Sequence, residues 1–149
     1  MDFAAQRAMD ESKPIEGSLT KEILWAAIEV HSQFRPGLLE SAYEACMCPE
    51  SAERKLPFKR QVDVPVHYKS VALDCGCKID ILVKDKVVLE LKAVEALLPV
   101  LEAQWLFYLK LSCKRIGFLM NFHAPRMSLR DREEGPMSHT RIVFSVAPR

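Results

Sequence analysis

Apolar and polar positions segregate most cleanly between Lys78 and Lys92, and that stretch predicts a β-hairpin. It reads Lys78-Ile79-Asp80-Ile81-Leu82-Val83, a polar Lys84-Asp85-Lys86, then Val87-Val88-Leu89-Glu90-Leu91-Lys92. The pattern also selects the register. A two-residue turn puts Glu90 and Lys92 on the face of Ile79 and Ile81, with Asp80 on the other. A three-residue turn at Lys84 to Lys86 pairs Asp80 with Glu90, and one face then carries Ile79, Ile81, Val83, Val87, Leu89 and Leu91 with nothing polar. Because a one-residue slip exchanges the two faces, the clean segregation favours the second register. Lys78, Asp80, Glu90 and Lys92 then share the opposite face.

Elsewhere the period shifts. Ile23, Leu24, Ala27, Ile28 and His31 form a helical stripe, which predicts a first helix from Thr20, a candidate N-cap, to about Phe34. Pro36-Gly37 interrupts it, and a second helix is expected from Leu38 to about Cys48, with Glu40 and Tyr43 neighbours at i, i+3. From Gln61 to Tyr68 the alternation is that of a strand, and Pro65 argues for an edge position. Lys69-Ser70 reads as a turn into a short strand, Val71 to Asp74. A third helix should begin at Pro99, a residue suited to a first helical position, and run to about Cys113, which puts Gln104 and Tyr108 on one face. Ile116 to Phe122 and Arg141 to Val146 read as strands, and the polar stretch from Arg126 to His139 as a loop. Residues 1 to about 18 are polar without periodicity and are expected to form a loose tail before a single domain over 19–149. Helices flanking a mostly sequential sheet make an α/β (α+β) sandwich.

Composition narrows the function only modestly. At 149 residues with a formal charge of +1, the chain is not a strongly basic protein that binds nucleic acid by bulk attraction. From Lys110 onward, eight Lys/Arg stand against three Asp/Glu, which makes either a local phosphate-facing patch or a scattered solvated surface. No long apolar run or secretory leader is recognised, so a cytoplasmic location, reduced thiols and no membrane association are expected. Two of the five cysteines' spacings, Cys46/Cys48 and Cys75/Cys77, have one intervening residue, against the two usual at zinc sites, and no role is assigned to them.

The hairpin carries the candidate chemistry. Two carboxylates a few ångströms apart repel, burial raises their pKa, and a divalent cation relieves both effects. Such an oxygen-ligated cation polarises a phosphoryl group and acidifies water, and a lysine two residues past the second carboxylate can neutralise developing charge. The ordinary alternative is a half-exposed strand with cross-strand ion pairs, worth only about 0.2–1 kcal/mol each.

Beyond the hairpin, Gly37-Leu38-Leu39-Glu40-Ser41-Ala42-Tyr43 matches the signature of the GxxExxY proteins, a group within the PD-(D/E)XK nuclease superfamily. The resemblance runs from about Leu19 to Val146. It takes in Ala27 to His31, Arg60-Gln61-Val62, Asp80, Glu90-Leu91-Lys92, Gln104 to Leu109 and Gly117 to Phe122. The chain is also similar to RecB-like nucleases, in which a Gln-x-x-x-Tyr helix follows the Glu-x-Lys strand. The resemblance implies a restriction-endonuclease-like core, with a central mixed β-sheet flanked by helices. It implies Asp80 and Glu90 as ligands of Mg²⁺ or Mn²⁺, Lys92 as the catalytic lysine, and Glu40 as an additional acid at the metal or its water. Gln104 would contact phosphate or brace the lysine, with Tyr108 in support, and Lys78 is placed with them on the substrate side. His31 is either a further metal ligand or a core-edge histidine, the latter preferred. The chain departs from the family at Arg35, Lys59 and Ser70. The implied function is metal-dependent hydrolysis of nucleic acid, DNA ahead of RNA, by one chain, a homodimer or a larger repair or defence assembly. The alternative is a nuclease-like fold that binds nucleic acid or protein without turnover.

Overall fold

The computed structural model describes residues 17–74, 76–123, 129–134 and 139–144, the last two segments by their backbone alone. Most of the tail expected over 1–18 therefore lies outside the described residues. Among the described residues two helices come first, α1 (Gly17–Phe34) and α2 (Glu40–Glu53). They are followed by β1 (Phe58–Asp63), β2 (Val66–Tyr68), β3 (Val71–Leu73), β4 (Lys78–Val83) and β5 (Val87–Lys92). The described residues close with α3 (Pro99–Leu111), β6 (Ile116–Asn121), β7 (Leu129–Glu134) and β8 (His139–Phe144).

Six strands form one sheet in the order β1-β4-β5-β6-β8-β7. The β5–β6 and β6–β8 pairs are parallel and the rest antiparallel, so the sheet is mixed. A parallel pair needs a crossover, and α3 supplies it between β5 and β6. The strand alternation read from the sequence sorts side chains onto two cores. Ile81, Val83, Val87, Leu89, Leu91, Phe118 and Met120 pack beneath α1 and α2, against Ile23, Ala27, Val30, Tyr43 and Met47. Leu82, Val88 and Leu119 pack beneath α3, against Trp105 and Leu109. Gly117 allows that helix to approach, since a Cβ there would meet Leu109 Cδ2 at 2.8 Å and Trp105 Nε1 at 3.0 Å.

Several expectations need correction. Thr20 does not cap α1, which is already helical at Gly17; it is buried within the helix. The second helix starts at Glu40 and runs through Pro49 to Glu53. Arg54, just past its end, bonds Glu50 at 2.9 Å and Glu22 of α1 at 3.2 Å, which ties this end of the helix to α1. The strand expected over 61–68 divides at Val64-Pro65. β1 is an edge of the large sheet, while β2 pairs with β3 in a separate two-stranded sheet. Within the stretch expected as a loop, residues 129–134 form β7, paired with β8. Ile79 joins the core beneath α3 rather than that of Ile81. No helix among the described residues is long and apolar enough to cross a membrane.

Candidate active site

β4 and β5 pair as Val83↔Val87, Leu82↔Val88 and Ile81↔Leu89, the register of the three-residue turn, and the next step sets Asp80 opposite Glu90. At that step side chains take over from the backbone ladder. The Leu91 N–H donates to Asp80 Oδ2 at 2.9 Å, and the Asp80 N–H donates to Glu90 Oε1 at 3.3 Å. Each carboxylate thus commits one oxygen to the opposite strand, which fixes the two acids side by side. Glu90 is only 4% exposed, and burial, with Asp80's charge adding to it, pushes its carboxyl up to about 8. Burial also raises Asp80, against the lowering effect of the Leu91 N–H.

A cavity of about 230 Å³ opens over this pair. Lys78, Asp80, Glu90 and Lys92 line one side and Gln104 and Tyr108 of α3 the other, so the predicted strand face and the predicted helix face meet. Burial raises the Tyr108 hydroxyl's pKa, with the neighbouring Cys77, to which it is hydrogen-bonded, and then the charge of Glu90 as lesser causes. Lys78 is already partnered, its Nζ 2.8 Å from Asp63 Oδ1. Glu40, the first residue of α2, is not among the lining residues and reaches the site through Lys92, Oε1 to Nζ 3.9 Å. Burial raises Glu40, and Lys92 opposes the rise. His31 is not brought to the cavity. It is buried in α1, with its ring 6.5 Å from that of Phe122.

The loop before α2 places Glu40. Arg35 and Gly37 take positive φ, +56° and +138°, and the Tyr43 hydroxyl donates to the Arg35 carbonyl and accepts from the Leu38 N–H at 3.3 Å. Tyr43 is fully buried and stacks on Phe122 at 4.7 Å, so this short loop is pinned to the core.

Two further residues belong to the site. Glu44, one turn after Glu40 on α2, is buried and accepts from Gln61 Nε2 at 2.6 Å and from Arg60 Nη2 at 3.2 Å. Gln61 Nε2 also stands 3.5 Å from Asp80 Oδ1 and lines the cavity. The i, i+4 spacing of Glu40 and Glu44 was the available signal, since a helix face that brings one to the site brings the other. Gln61 is held at φ +49°, a left-handed conformation that costs a non-glycine residue about 1–2 kcal/mol.

The donor set suits a hard divalent cation: two adjacent carboxylates whose burial and mutual repulsion a 2+ charge relieves. Among the described residues, no three His, Cys, Asp or Glu groups gather closely enough to hold a metal between them. Two carboxylates with water and substrate phosphate completing the shell are the habit of Mg²⁺ rather than of a dedicated protein cage. The residues present therefore fit. Cys46, Cys48, Cys77 and Cys113 form no disulfide, Cys75 lies outside the described residues, and so do the side chains of most of the basic C-terminal stretch.

Neither the curated proteins nor the solved structures contain a match to this chain. The family model of the PD-(D/E)XK nuclease superfamily matches residues 17–132, from the start of α1 into β7. That span takes in every element that lends a side chain to the cavity, and the mixed sheet flanked by helices agrees with it: the chain belongs to the PD-(D/E)XK nuclease superfamily.

Proposed function

We propose that the chain hydrolyses phosphodiester bonds of nucleic acid, DNA ahead of RNA, with Mg²⁺ or Mn²⁺ as cofactor and residues 19–149 acting as one cytoplasmic domain. The observation that carries this reading is the convergence of Asp80, Glu90 and Lys92 with Gln104 and Tyr108 on one cavity. When bound, the cation supplies positive charge at the scissile phosphate and acidifies a water. Asp80 and Glu90 hold it through carboxylate oxygens. Lys92, two residues beyond Glu90, stabilises charge that develops on the phosphate oxygens, and Glu40 keeps its ammonium oriented. Gln104 and Tyr108 offer donors to a phosphate from the helix side, in the RecB-like arrangement, with Lys78 beside them. The Gly37–Tyr43 segment acts as a GxxExxY signature, in which Gly37 and Tyr43 shape the loop and Glu40 is what the loop delivers.

A nuclease-like binding module without turnover is the competing reading, since the fold by itself does not decide whether the site turns over. Calorimetric titration of Mn²⁺ into the wild type and Asp80→Ala, with both assayed on mixed single- and double-stranded DNA, separates the two. Uptake and cutting in the wild type, both lost in the variant, are expected. A folded wild type that takes up no Mn²⁺ overturns the nuclease reading and leaves the binding module.

A further inference from the structure

Gln61 stands opposite Asp80 at an irregular point of the β1–β4 ladder. Regular pairs flank it, Arg60↔Ile81 and Val62↔Ile79, while Gln61 itself is left-handed. On a regular strand Arg60 and Gln61 would point to opposite faces. Here both reach the same carboxylate, Arg60 on Glu44 Oε2 and Gln61 on Glu44 Oε1. The kink thus turns the Gln61 amide into the gap between α2 and β4. Its –NH₂ has two hydrogens, one for each acid, with Glu44 Oε1 at 2.6 Å and Asp80 Oδ1 at 3.5 Å. Glutamate at this position would have no proton to give, and a shorter amide would not span the gap. A strained backbone at a non-glycine residue persists where its surroundings over-determine it, and such residues cluster at functional sites.

We infer that Gln61 is the positioning residue of Asp80: its amide, anchored on Glu44, fixes the rotation of the Asp80 carboxylate and so presents that group to a bound cation. The inference rests on the nuclease reading of Asp80 as a metal ligand. Asp80 is then held from both sides, Oδ2 by the Leu91 N–H and Oδ1 by Gln61. Arg60 holds the other oxygen of the anchor, its Nη2 3.2 Å from Glu44 Oε2. Helix α2 reaches the site with two arms one turn apart, Glu40 to Lys92 and Glu44 to Gln61. Outer-sphere partners of this kind change metal affinity by about 10–100-fold when removed.

Three variants test it. Gln61→Met keeps the length and loses the donors, Gln61→Gly relieves the backbone and loses the side chain, and Asp80→Asn removes the acceptor's charge. Metal-free NMR of the Gln61 side-chain amide should show a shifted signal in Asp80→Asn. Calorimetry should show Mn²⁺ affinity lower by about 10-fold or more in Gln61→Met and Gln61→Gly, with a thermal midpoint in Gln61→Gly no lower than wild type. An amide signal indifferent to Asp80→Asn, or Gln61→Met binding Mn²⁺ within twofold of wild type, overturns the inference. If the wild type takes up no Mn²⁺, the nuclease reading fails and with it the role at a cation. The metal-free amide signal then decides separately whether Gln61 holds Asp80.

Discussion

Glu90→Gln should stabilise the metal-free protein at alkaline pH while leaving it nearly unchanged near pH 4. In the unfolded chain Glu90 releases its proton near the ordinary 4.5; in the native site, buried and beside Asp80, it holds that proton to about 8. Between those values the native state binds more protons than the unfolded state, so stability falls as pH rises, by about 1.4 kcal/mol per pH unit. Over the full window this amounts to about 4–5 kcal/mol, a large part of the roughly 5–15 kcal/mol typical of a domain. Asp80, also raised by burial, acts in the same direction. Urea unfolding in EDTA at pH 5 to 9 measures the slope. The wild type should lose stability steadily from pH 5 to 8, and Glu90→Gln should lose much less, because the glutamine is never ionised. Parallel slopes in the two proteins would refute the reasoning. Saturating Mn²⁺ should flatten or reverse the wild-type slope, since a cation favours the ionised pair.

Three other outcomes are expected. Lys92→Met should lower single-turnover DNA cleavage by about 10²–10³-fold with Mn²⁺ binding retained, and an unchanged rate would remove Lys92 from the chemistry. Tyr43→Phe keeps the stack on Phe122 but loses both hydroxyl bonds to the 35–38 loop, and chemical denaturation should show a loss of about 1–2 kcal/mol. Gly117→Ala would set a Cβ 3.1 Å from the Val88 carbonyl as well as against Leu109 and Trp105. The backbone oxygen cannot move aside, so a cost of about 1–3 kcal/mol in the same assay is expected.

The hairpin was legible because its evidence is local. Five apolar residues that do share one face, Ile81, Val83, Val87, Leu89 and Leu91, are enough to define the strands and the turn length without reference to anything distant. Pro99 likewise marked the start of α3, and the i, i+4 pair Gln104 and Tyr108 could be placed on a face though not against a partner. β7 escaped because Leu129-Arg-Asp-Arg-Glu-Glu has no apolar alternation, and its pairing with β8 is a matter of backbone bonds. The run of α2 through Pro49 comes with an ion pair to α1, Arg54 to Glu22, across 32 residues of sequence. The left-handed turn at Gln61 is a tertiary outcome too, since nothing in Arg60-Gln61-Val62 by itself departs from a strand.

The position of that kink matters for more than the acid beside it. β1 is the border of the sheet, with a row of backbone donors and acceptors facing outward. Such rows template the addition of foreign strands, and proteins blunt them with charge, proline and irregular backbone. β1 has all three devices: Lys59 and Arg60 within it, Pro65 just past its end, and the φ reversal at Gln61 in its middle. A second copy of the chain therefore finds no straight segment longer than about half the strand to zip against. The distortion that turns the Gln61 amide toward Asp80 also makes this edge irregular, and Gln61→Gly, free to relax into a regular strand, is the variant in which edge-to-edge aggregation should first appear.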